Sequence, residues 1–154
     1  MKRQTIEQFA EDLNQIPSRI RDVIPQALEK CKPIVDRGIF ENFVLQSNPD
    51  GVAWPTRKIE GDGHPLLVET NTEGSGSLMA AASGMGGGHV SRVEGNALLT
   101  GVDKDGGIGG IPGAGVHNYG FQDRNIPQRE FLGLGEVDLV QCGEVILDAL
   151  LEAF

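Results

Sequence analysis

Residues 18–45 read SRIRDVIPQALEKCKPIVDRGIFENFVL. Ile20, Val23, Ile24, Ala27, Leu28, Cys31, Ile34, Val35, Ile39, Phe40, Phe43 and Val44 recur at spacings of three and four. That spacing marks one buried stripe of an amphipathic helix. Pro25 and Pro33 interrupt it. Either each proline kinks a single helix, or Pro25 sits in the first turn of a helix that begins near Ile24. The stripe stays in phase past both prolines, which favours one long kinked helix to about Val44. Cys31 lies on the stripe, where a thiol acts as a small buried apolar group.

Upstream, Thr5 and Gln8 have capping-box spacing, and Ile6, Phe9, Ala10 and Leu13 repeat the helical rule. A short helix over about 5–15, stopped near Pro17, is expected. Downstream, Asn48-Pro49-Asp50-Gly51 is a dense turn signal. Strand-like runs follow at 66–70, 77–83, 89–93 and 97–102, the third with an unclear register. Residues 84–88 and 106–115 are glycine-rich connections, and the stretch 84–115 reads as a flexible arm ordered by partners. Residues 113–121 fit a short helix or an edge, and 126–134 an extended segment. Asp138 with Gln141 is expected to cap a last helix, whose stripe is Leu139, Val140, Gly143, Ile146, Leu147, Leu150, Leu151 and Phe154. Helices and strands are segregated, which defines an α+β fold. The 154 residues make one domain: a helical segment 1–46, a strand- and loop-rich segment 47–135 and a terminal helix 136–154.

The chain has 22 glycines, and only Gly38 and Gly143 lie outside residues 51–135. Aromatic residues make up 5%. A chain so poor in large side chains has little apolar area to bury, so neighbouring subunits are expected to stabilise it. The net charge of -9 argues against a sequence-independent nucleic-acid binder and against a polybasic membrane-surface protein. No apolar run reaches the length of a bilayer span, and MKRQTIEQFAEDL has no signal core. Two cysteines exclude a disulfide scaffold and a CxxC site. The reading is a soluble chain made in a reducing cytoplasm. Residues 1–46 balance seven basic against seven acidic side chains, so the whole net charge lies beyond them.

Chemistry-bearing motifs are missing from the sequence. His64, His89 and His117 are far apart and match no metal-ligand spacing. There is no GxSxG elbow, no GxGxxG and no GxxxxGK[ST]. Asp103 and Asp105 begin a run like a calcium loop, but the glycine-rich run after them lacks its bidentate Glu. No catalytic residue, metal site or cofactor is expected.

Other residues carry a family signal. Asp50-Gly51-Val52-Ala53-Trp54-Pro55-Thr56-Arg57-Lys58 is followed by Pro65-Leu66-Leu67 and by Ser77-Leu78. Val116-His117-Asn118-Tyr119-Gly120 comes next, then Ile126-Pro127-Gln128-Arg129-Glu130-Phe131-Leu132-Gly133-Leu134 before the last helix. This ordered set resembles the virion morphogenesis proteins of Mu-like phages, relatives of the tail-completion proteins of contractile-tailed phages. The last block is close to the family's IPAR-x-FLGL. Residues 71–75 depart from the pattern as a short insertion. The resemblance runs from about Asn42 to the end of the sequence.

The resemblance implies a non-enzymatic structural protein of a tailed-phage virion. It would sit at the head–tail connector or tail end as a tail-completion, tail-terminator or neck ring, with six copies the expected number. The partners implied are other copies of the chain and neighbouring connector or tail proteins. Genomic DNA would pass without specific binding, and no membrane is involved. The alternative is an assembly factor that leaves the particle. Trp54 beside Pro55 is expected as a core or interface anchor. His117 and Asn118 are expected to bridge backbone groups before Gly120. Pro127 keeps Ile126 extended. Phe131 and Leu132 supply an apolar patch, and Gly133 lets the backbone turn. Glu144, Asp148 and Glu152, spaced by four, share a helix face that would line a DNA channel or meet another chain's basic residues.

Overall fold

A computed structural model describes residues 6–56, 78–82, 89–102 and 113–154. The order is α1 (Ile6–Leu45), α2 (Leu78–Ala82), β1 (His89–Glu94), β2 (Ala97–Val102), α3 (Gly113–Tyr119), a 3-10 turn at Gln122–Arg124, and α4 (Glu136–Ala153). One long helix, a two-stranded antiparallel sheet and a terminal helix form an α+β fold.

α1 is a single 40-residue helix that carries Pro17, Pro25 and Pro33 inside it. The expected stop at Pro17 does not occur. A proline removes one N–H and frees the carbonyl four residues earlier, at a cost of about 3 kcal/mol inside a helix. Here those carbonyls belong to Leu13, Arg21 and Glu29, all exposed residues whose freed groups water can reach. The apolar stripe also continues in register through Pro17, although Ile6, Leu13 and Ile20 stay exposed there. α1 ends where Gln46 takes a left-handed conformation, and Ser47 N–H reaches back to Asn42 O at 3.1 Å. The Asn48–Gly51 turn then closes, with Gly51 N–H on Asn48 O at 2.9 Å.

Within the expected strand 77–83 the chain is instead helical over Leu78–Ala82. Leu-Met-Ala-Ala-Ala contains no β-branched residue and only good helix formers, so the strand reading overrated hydrophobicity. Residues 66–70, and most of the glycine-rich 84–88 and 106–115, lie outside the described residues. β1 and β2 pair from His89↔Val102 to Glu94↔Ala97 around the two-residue turn Gly95-Asn96.

The core joins Val35, Ile39 and Phe43 of α1 to Trp54, Ala82, Ala114 and Phe131. Phe43 is its centre: Trp54 meets it edge-on at 5.5 Å between centroids, and Phe131 lies tilted at 5.0 Å. Such pairs contribute about 0.5–1.5 kcal/mol each beyond area burial.

α4 packs antiparallel along the second half of α1. Arg37 donates to Asp138 Oδ1 at 2.9 Å and to Gln141 Oε1 at 2.7 Å. Six residues earlier on α1, Cys31 Sγ lies 3.8 Å from Cys142 O. Asp138 therefore does not cap α4, as the sequence suggested. Gly135 is the N-cap, and Asp138 is a buried first-turn carboxylate aimed at Arg37. Gly38 makes room for it, since a Cβ there would stand 2.5 Å from Asp138 Oδ2. The expected stripe of α4 is also split. Ile146 and Leu150 turn inward beside Cys142, whereas Leu139, Val140, Leu147, Leu151 and Phe154 are exposed.

Candidate functional site

Residues 126–134 form no regular strand, so their backbone groups need partners from elsewhere. The motif residues supply them. Asn118, on α3 and buried, accepts with one Oδ1 from Phe131 N–H at 3.0 Å and from Leu132 N–H at 2.9 Å. Asn42, on α1 and buried, donates to Phe131 O at 3.0 Å and to Gly133 O at 3.4 Å. Trp54 Nε1 donates to Glu130 O at 3.0 Å. The buried Arg129 donates through Nε to Pro55 O at 3.2 Å, and its backbone N–H to His117 O at 2.7 Å. Three separate parts of the chain are thus tied to one loop.

Local geometry prepares the loop. Phe121 and Ile126 exchange both backbone bonds, at 2.9 and 3.0 Å, across the 3-10 turn. Gly120 has φ +76, and a Cβ there would lie 2.9 Å from Gln128 N. Both the left-handed backbone and the close approach require glycine. Pro127 follows Ile126 in the extended stretch and is half-buried.

Trp54, Pro55, His117, Asn118, Gly120, Ile126, Arg129, Phe131, Leu132 and Gly133 therefore meet in one hydrogen-bonded junction beside the core. Arg57 lies outside the described residues. Glu144, Asp148 and Glu152 are exposed on α4, away from the junction. Asn42 and Gly38 are functional to the architecture and were missed, because the reading of α1 followed only its apolar positions. A buried-stripe asparagine was the available signal, since such a group needs partners.

His117 bridges through its backbone oxygen, while its side-chain Nδ1 is buried without a hydrogen bond. Burial, and then the nearby Arg129 charge, lower its pKa, so neutral imidazole is favoured there. A second polar group lies between α1 and β1, where His89 Nε2 is 3.3 Å from Asp36 Oδ1. Among the described residues no three His, Cys, Asp or Glu side chains are placed to hold a metal, and no helix is long and apolar enough to cross a membrane. An open apolar groove of about 290 Å³ runs between α1, β2 and α4, lined by Leu28, Val35, Ile39, Leu98, Leu134 and Ile146. No protein-family model, curated protein or solved structure matches the chain.

Proposed function

We propose that the chain is a structural, non-enzymatic virion protein of a tailed phage, acting as a ring at the head–tail connector or tail end. The supporting observation is the junction. The motif blocks that resemble the virion morphogenesis proteins lie far apart in sequence, yet Trp54, Pro55, His117, Asn118 and Arg129 from three of them join in fixing the loop 126–134 against the core. A loop held by buried side-chain bonds to its backbone keeps its shape without a sheet, as a rigid contact element between subunits requires. The acidic remainder of the chain suits a conduit for DNA, because like charge keeps a passing duplex from sticking. The test is quantitative mass spectrometry and reconstruction of purified particles made with this chain. A fixed, low, symmetric copy number at the neck or tail end is expected. Presence only in precursors would favour the assembly-factor alternative, and absence from both would refute the reading.

A further inference from the structure

Two apolar lines on this molecule have the same period, similar length and no cover. On α4, Val140, Leu147 and Phe154 are spaced by seven and are 53%, 56% and 59% exposed, with Leu151 between them at 67%. On α1, Ile6, Leu13 and Ile20 are also spaced by seven and are 85%, 48% and 39% exposed. Each line spans 14 residues, roughly 21 Å of helix. A seven-residue apolar period is the spacing by which one helix packs its knobs into another.

The two lines cannot meet within one chain. α4 lies on α1 through its opposite face, anchored by Arg37–Asp138 and Cys31–Cys142. Running antiparallel from there, its 18 residues reach α1 near Ile20 and leave the preceding turns of α1 uncovered by it. The stripe that holds Ala27 and Cys31 against α4 is the one that continues into Ile20, Leu13 and Ile6.

We propose that the occupant of the outer α4 face is the first half of α1 from a second copy of this chain. This deepens the ring reading above by naming a subunit contact. The two surfaces differ, so the contact is heterologous and propagates from copy to copy until it closes. The exposed apolar area favours it. With Leu139 included, the two lines expose roughly 800 Å² of large apolar side chains, about half of a standard interface before flanking groups are added. Glu144 and Asp148 flank the α4 line on one side only. Arg19, which also donates to Gln15, and the exposed Arg21 lie on opposite sides of the α1 line, since successive residues turn by about 100°. Each flank of the α1 line also carries acidic side chains, Glu7 and Glu11 on the side of Arg21 and Asp12 on the side of Arg19, so charge does not set the direction in which the helices run. A symmetric antiparallel α4–α4 pairing would instead bring two acidic rows together.

The test uses the full chain carrying either Leu13→Cys or Leu147→Cys, mixed and treated with a short bis-maleimide, with the unsubstituted chain as control for Cys31 and Cys142. Peptides linked through positions 13 and 147 are expected. Links only of 13 to 13 or of 147 to 147, or none above the control, would overturn the contact. Leu147→Glu, at an exposed site, is expected to leave the melting temperature unchanged and to weaken self-association by about 30-fold or more in sedimentation. Unchanged association would also overturn it. A ring without the 13–147 link would refute this contact and leave the ring reading standing. The link without any virion incorporation would do the reverse.

Discussion

Replacing Asn118 by alanine removes one oxygen and strands two donors. Oδ1 accepts from Phe131 N–H and Leu132 N–H, and among the described residues no other acceptor for either donor is evident. Asn118 and Phe131 are 3% and 0% exposed, so water does not reach the first donor without opening the junction. An unsatisfied buried donor costs about 1–3 kcal/mol, and the half-buried Leu132 N–H falls at the low end of that range. The expected loss is about 2–4 kcal/mol, a large fraction of the ~5–15 kcal/mol that holds a domain together. Urea unfolding followed by the fluorescence of Trp54, the sole tryptophan, reads it directly, because that indole donates into the same loop. Asn118→Asp retains the acceptor oxygen and is expected to lose less than the alanine variant. An alanine variant within about 0.5 kcal/mol of the original chain, like an ordinary surface substitution, would refute the view that this side chain holds the loop.

Gly38→Ala places a methyl group against Asp138 and is expected to break its bond to Arg37, lowering the melting temperature more than Gly143→Ala, which meets open space. For His117 the folded state prefers the neutral ring, so the unfolded chain takes up protons first as pH falls. Stability is therefore full above the ordinary pKa of 6.5 and declines below it until the folded-state pKa is passed. His117→Gln is expected to flatten that decline in thermal melts between pH 7 and 5, and an unaltered slope would assign it to other groups. Glu144, Asp148 and Glu152 changed together to Gln relieve like charges four residues apart. The melting temperature of the isolated chain is expected to hold or rise while particle assembly falls, and normal particle yield would reduce this face to a solvated one.

The helices were legible wherever an apolar stripe persisted, as from Ile20 to Phe43, because burial against a neighbour outweighs a single broken hydrogen bond. Pro17 misled because only its cost was counted: the carbonyl it frees belongs to the exposed Leu13, where water can bond it. Residues 78–82 are too short for any periodicity, which left hydrophobicity alone to decide between strand and helix. Trp54 and Asn118 were legible as anchors and bridges. Their partners were not, since the acceptors and donors are backbone groups of residues 130–132, on which the sequence is silent. The inward face of α4 was misjudged because apolar residues lie on several of its sides, and the contacts that fix its rotation, Arg37 with Asp138 and Gln141 and Cys31 with Cys142, are tertiary.

The contact between Cys31 and Cys142 gives this molecule a built-in clock. Burial, and then the neighbouring Cys31 thiol, push the Cys142 pKa up to about 11, and Cys31 itself is 1% exposed. At neutral pH almost no thiolate forms while the seam is shut, and thiolate is the species that alkylating reagents capture. Modification of the buried Cys31 must therefore wait until α4 lifts from α1. The labelling rate of an unaltered sample then counts those openings, and when the seam is braced the count slows without any engineered reporter.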